Sequence, residues 1–170
     1  MDHESPHAAA HRQDRIEASN GRSFSAYVAL PAKPNGRAII IGQEIFGVTH
    51  DIREVADRYA RAGYLAVAPD LFWRVSPGIE LSHSKEDIAR AFELLQGFSE
   101  DDAIEDIGLT IAHAKAQPGI GSCAVLGMCL GGKLTYLAAA RLPAEVCIAF
   151  YGVGIEKSLG EAAGISRPLK

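Results

Sequence analysis

Gly127-Met128-Cys129-Leu130-Gly131-Gly132 stands between the apolar run Cys123 to Leu126 and a helical stretch from about Gly132 to Leu142. A G-x-C-x-G pattern between strand and helix suits a strained turn, because side chains two residues before and after the central one would collide with neighbouring backbone. The same turn sets Cys129 at the N-terminus of a helix, where unpaired N–H groups and the helix dipole favour a thiolate or an oxyanion. Cys129 is therefore the candidate nucleophile. Cys123 and Cys147 lie inside apolar strand runs and read as core thiols.

Upstream of the turn, Ala38-Ile39-Ile40-Ile41 is continuously apolar, as a strand covered on both faces of a parallel sheet requires. Ile52, Val55, Ala56, Tyr59 and Ala60 follow at helical spacing, and Gly63 is placed to end that helix. The strand Tyr64 to Ala68, a loop from Pro69 to Ser84, and a helix with Ile88, Ala91, Phe92 and Leu95 on one face come next. After a break at Gly97-Phe98, Ser99 and Asp102 open a helix carrying Ile104, Ile107 and Ile111, and Val146 to Tyr151 is a last apolar run. This alternation predicts a three-layer α/β sandwich with a mostly parallel sheet. At the front, residues 1 to 13 read as a disordered tail, and the domain as residues 14 to 170. From Arg15, Asn20-Gly21 and the alternating stretch Phe24 to Leu30 predict an antiparallel hairpin with a tight type I′ turn.

With 170 residues, 48% of them hydrophobic, the chain can bury one core. Its net charge of −4 provides no field to gather nucleic acid or an anionic membrane surface. The first residues have neither the basic start nor the apolar centre of a signal peptide, and a cytoplasmic protein is expected. An odd number of cysteines without zinc-type spacing argues against a disulfide framework and against a structural metal.

Gly42-Gln43-Glu44-Ile45-Phe46-Gly47 directly follows the first parallel strand, at the sheet edge where ligands bind in such folds. Glu44 has two readings here, a carboxylate aimed into the crevice or a cap for the following helix. The backbone N–H of Ile45, with that of Leu130, is placed to hold an oxyanion. On the loop after the next strand, Arg74 beside Phe72 and Trp73 has the fork geometry to clamp a substrate carboxylate, though most loop arginines are solvated charges. Asp70 is expected to fix that loop.

Taken in order and spacing, Gln43-Glu44-Ile45-Phe46-Gly47, Pro69-Asp70-Leu71, Gly127 to Gly132 and Phe150-Tyr151-Gly152-Val153-Gly154 resemble the dienelactone hydrolase family, from about residue 15 onward. The resemblance implies an α/β-hydrolase sandwich and hydrolysis of an enol-lactone such as 4-carboxymethylenebut-2-en-4-olide to maleylacetate, a ring opening in the degradation of chlorinated aromatics. It implies no cofactor and a small, anionic lactone or ester as the partner. Cys129 would attack the carbonyl, Ile45 and Leu130 would hold the oxyanion, Glu44 would couple substrate binding to thiol deprotonation, and Arg74 and Tyr151 would bind substrate.

In α/β-hydrolases the acid and the histidine of the triad follow the nucleophile in the chain. Here no His and no Asp follows Cys129; the last are His113 and Asp106. The resemblance therefore implies a chain that stops before its last strands and helices, with negligible lactonase activity alone and an exposed apolar edge at Val146 to Tyr151. Among upstream histidines only His50 is a candidate substitute base. Two alternatives stay open: a carboxylesterase acting on other small esters, and a non-catalytic module that binds through the same sheet and pocket.

Overall fold

The computed structural model describes residues 9–19 and 21–158. Its elements run β1 (Ala10–Glu17), β2 (Ser23–Leu30), β3 (Arg37–Gly42), α1 (His50–Arg61), β4 (Leu65–Pro69), α2 (Lys85–Gln96), α3 (Glu100–Lys115), β5 (Ser122–Met128), α4 (Leu130–Arg141), β6 (Val146–Phe150) and α5 (Ile155–Ser158). One sheet orders the strands β1-β2-β4-β3-β5-β6. From β4 to β6 all pairings are parallel, and the β1–β2 hairpin joins β4 antiparallel. The three-layer, mostly parallel architecture expected from the sequence is the one observed.

Alternation along β3 explains the layers. Ala38 and Ile40 face the α3–α4 side, packing with Val67, Val125, Ile107, Ile111 and Leu134. Ile39 and Ile41 face α1, where they meet Ile52, Ala56 and Ala60. Burial of both sets is why this strand carries no polar residue between Ala38 and Ile41. Helix ends follow local chemistry. Ser84 Oγ and Ser99 Oγ accept the N–H of Asp87 and of Asp102, at 3.1 and 3.2 Å, and so cap α2 and α3. Gly63, at φ +96°, donates its N–H to Ala60 and turns the chain out of α1.

Three expectations need correction. Residues 10–13 are not a tail: they pair with Tyr27 to Leu30, and His11 stacks on Tyr27 with ring centres 5.3 Å apart. An edge strand needs no apolar alternation, so its polarity hid it. The hairpin connection is not a two-residue turn, because pairing ends at Glu17↔Ser23 and leaves 18–22 as the loop. Phe92 is 59% exposed, and α2 buries Ala91 and Leu94 instead; the inward line runs through 88, 91, 94 and 95, which turns position 92 outward. Residues 1–8, Asn20 and residues 159–170, with the final stretch Arg167-Pro168-Leu169-Lys170, lie outside the described residues.

Candidate active site

Cys129 adopts φ 54° and ψ −116° between β5 and α4. A residue with a side chain in such a region costs about 1–3 kcal/mol, so its surroundings must hold it there. They do so by backbone contact. The Cys129 N–H donates to Phe150 O at 3.1 Å, and Cys129 O accepts from the Lys133 N–H at 3.2 Å. A Cβ on Gly127 would lie 2.0 Å from Gly131 O, and one on Gly131 would lie 2.3 Å from Gly42 O. Glycine at both places lets β3, β5 and the first turn of α4 touch main chain to main chain. Gly132 meets the same constraint, since its Cβ would sit 2.5 Å from Phe150 O; the G-x-C-x-G pattern assigns it no such role.

The backbone N–H groups of Leu130 and Ile45 both act to lower the Cys129 thiol. Burial nevertheless raises the thiol above its ordinary range, and the nearby Glu44 carboxylate raises it further, so the two N–H groups only partly offset the rise. Burial and Glu44 thus oppose the thiolate that a helix N-terminus alone would favour. Tyr151, at φ 36° and 66% exposed, donates its hydroxyl to Glu44 Oε1 at 3.5 Å. Desolvation, Glu44 and Cys129 all raise its phenol. Glu44, Ile45, Cys129, Leu130 and Tyr151 thus form one cluster over the carboxyl ends of β3, β5 and β6.

Gln43 and the loop after β4 support this cluster. The Gln43 side chain is fully buried; its Oε1 accepts from the Leu71 N–H at 2.9 Å, and its Nε2 donates to Glu44 O at 3.4 Å. Asp70 accepts from the N–H groups of Phe72 and Gly78, at 3.1 and 2.7 Å, and so fixes the loop as its sequence position implied. Leu81 N–H donates to Phe46 O at 2.9 Å, and a Cβ on Gly47 would lie 1.9 Å from Ile79 O. The segment bearing Glu44 is consequently clamped between β5 and the loop over 70–82.

Arg74 and His50 have other partners. The Arg74 guanidinium bonds the buried Asp106 of α3, lies 3.7 Å from Asp102 and stacks over Trp73. His50 opens α1 with its N–H on Glu80 Oε1 at 3.0 Å, and its ring acts on Glu54 and Glu80. His113 pairs with Asp14, and His83 packs on Phe46. Among the described residues no histidine acts on the Cys129 thiol. The sequence reading passed over Asp106 and Gln43. Their signals were an acid inside the apolar stripe Ala103, Ile104, Ile107, and an amide directly after an all-apolar strand.

The model of the dienelactone hydrolase family matches residues 24–170. The chain belongs to the dienelactone hydrolase family. It is 40% identical over 155 residues to a carboxymethylenebutenolidase of Pseudomonas sp. strain P51, covering 90% of this chain and 65% of that protein. Carboxymethylenebutenolidase 1 of Cupriavidus pinatubonensis is 38% identical over 155 residues, covering 90% of this chain and 66% of the relative. The fold is shared with a dienelactone hydrolase-like promiscuous phosphotriesterase from metagenomic libraries, at TM-score 0.62 and 18% identity, over 84% of this chain and 60% of that one. This dienelactone hydrolase family chain therefore spans about 65% of the length of these two relatives. Among its described residues, no helix is long and apolar enough to cross a membrane.

Proposed function

We propose that the chain carries the thiol centre of a carboxylic-ester hydrolase that opens an anionic enol-lactone of the dienelactone type to maleylacetate. The observation that carries this reading is the Cys129 turn itself, at φ 54° ahead of α4, where the Ile45 and Leu130 N–H groups both act to lower the thiol. Two donors from different segments, aimed at one nucleophile, suit the developing oxyanion of acyl transfer. Glu44 takes the thiol proton, and the thiolate attacks the lactone carbonyl. The ring C–O bond then breaks, leaving the acyl group on sulfur. The departing enolate takes a proton and becomes a ketone. Water finally hydrolyses the thioester to a carboxylate. An enolate leaves far more readily than an alkoxide or amine, so cysteine chemistry suits this substrate.

Tyr151, largely exposed beside Glu44, is assigned to substrate binding. The role of Arg74 as ligand of the substrate carboxylate rests on the family resemblance and requires the guanidinium N–H groups that Asp106 leaves over. A cytoplasmic setting fits the acidic balance and the free thiols of Cys123, Cys129 and Cys147.

Intact-mass spectrometry after incubation with an enol-lactone or a p-nitrophenyl ester at pH 9 tests the proposal. One acyl group per chain is expected on Cys129, absent from Cys129→Ala, with negligible turnover because no His or Asp follows Cys129 in the sequence. A folded chain that acquires no acyl group on Cys129 overturns the reading, and robust turnover overturns the prediction of an inactive chain. A general small-ester hydrolase is the second reading, favoured by the commitment of Arg74 to Asp106. Arg74→Ala separates the two. It slows acylation by anionic lactones selectively in the first reading, and equally for neutral esters in the second.

A further inference from the structure

We propose that Gln43 is a positioning residue, whose side-chain amide sets the Glu44–Ile45 peptide so that the Ile45 N–H faces the nucleophile. In a planar trans peptide the C=O of one residue and the N–H of the next point in opposite directions. Gln43 Nε2 donates to Glu44 O at 3.4 Å, and the N–H of the same peptide, that of Ile45, acts on the Cys129 thiol. Fixing the carbonyl fixes the N–H.

The amide is itself held firmly. Gln43 has no exposed surface, and its Oε1 accepts the Leu71 N–H at 2.9 Å. That bond fixes which end of the amide carries the donor. The Gln43 main chain is fixed separately by close approach to Gly131, whose Cβ would lie 2.7 Å from Gln43 O. Side chain and backbone of one residue therefore connect the elbow, the oxyanion donor and the loop after β4. The alternative, a residue that only ties Leu71 to the sheet, would leave the Ile45 N–H indifferent to it.

The inference rests on the proposed role of Ile45 in holding the oxyanion, but its test reads the thiol rather than turnover. In 15N-labelled chain, the Leu130 and Ile45 amide resonances should both shift with pH as Cys129 titrates. They should be silent in Cys129→Ser. In Gln43→Met, which keeps length and removes donor and acceptor, Leu130 should still follow the thiol while Ile45 loses its response. Iodoacetamide alkylation of Cys129 should then need higher pH. An Ile45 amide that still follows the thiol in folded Gln43→Met overturns the proposal. Gln43→Asn, one methylene shorter, gives the same reading should the Met variant not fold. The unmodified chain is a test in itself: one Gln43 Nε2 proton must exchange slowly, and fast exchange of both overturns the proposal. A chain that forms no acyl-thioester yet keeps this coupling ends the functional reading and leaves the role of Gln43 standing.

Discussion

Arg74 and Asp106 form an ion pair whose carboxylate has no exposed surface and whose guanidinium carbon lies 4.4 Å over the centre of the Trp73 ring. Trp73 Nε1 donates to the same Asp106 oxygen at 2.7 Å, while Oδ1 has no hydrogen-bond partner among the described residues. Burial raises the Asp106 carboxyl, against the lowering by Arg74 and Trp73. Removing one member of a buried pair strands the other, at a cost of about 3 kcal/mol or more. Asp106→Ala should therefore lower stability by about that amount in urea unfolding. A loss no larger than the roughly 0.5 kcal/mol of a surface substitution would mean that Arg74 finds water instead.

The environment of the Cys129 thiol leads to a second prediction. Cys129 is raised by burial first and by Glu44 next, so alkylation by iodoacetamide should accelerate only above the ordinary thiol range of about 8.5. Glu44→Gln removes a negative charge that disfavours the thiolate, so the midpoint of the alkylation profile should fall. Acylation by an enol-lactone at neutral pH should slow in the same variant, because the proposed proton acceptor is gone. The two responses run in opposite directions. A variant with an unchanged or higher alkylation midpoint would show that Glu44 does not act on the sulfur.

Gly131→Ala should be far more damaging than Gly97→Ala. The new Cβ at 131 would lie 2.3 Å from Gly42 O and 2.7 Å from Gln43 O, forcing β3 and α4 apart. About 1–3 kcal/mol of lost stability is expected from such overpacking, together with slower acylation as the Ile45 N–H moves off the sulfur. At Gly97, φ is −99° and the nearest atom would be Val75 Cγ1 at 3.5 Å, an ordinary contact. Alanine there should be neutral or stabilise by up to roughly 1 kcal/mol. Thermal unfolding of the pair measures the contrast.

Strand β6 lies at the sheet edge, with Val146, Ile148 and Phe150 exposed at 53, 37 and 48%. Val146 and Ile148 line a groove of about 250 Å³ with Tyr59 and Tyr64. An apolar edge strand invites pairing with another chain. Light scattering of the 170-residue chain should rise with concentration, and Ile148→Lys should suppress it. Scattering that is independent of concentration and of this substitution would remove β6 as the cause.

What the sequence by itself determined was local. The two-faced burial of Ile39, Ile40 and Ile41 follows from an unbroken apolar run, because a strand covered on both sides has no place for a polar residue. The caps at Ser84 and Ser99, the end of α1 at Gly63 and the turn at Cys129 follow from short-range sterics and hydrogen bonding. These act within a few residues and are written in their order. Tertiary structure alone decided what depends on distant segments meeting. Phe92 faces solvent because packing selected a helix face one position away. Residues 10–13 pair because β2 offers an edge. Tyr151 reaches Glu44 across 107 positions of sequence. Arg74, read as a clamp for a substrate carboxylate or a solvated loop charge, finds Asp106 on α3, since a charge chooses its partner by proximity in space, which chain order does not encode.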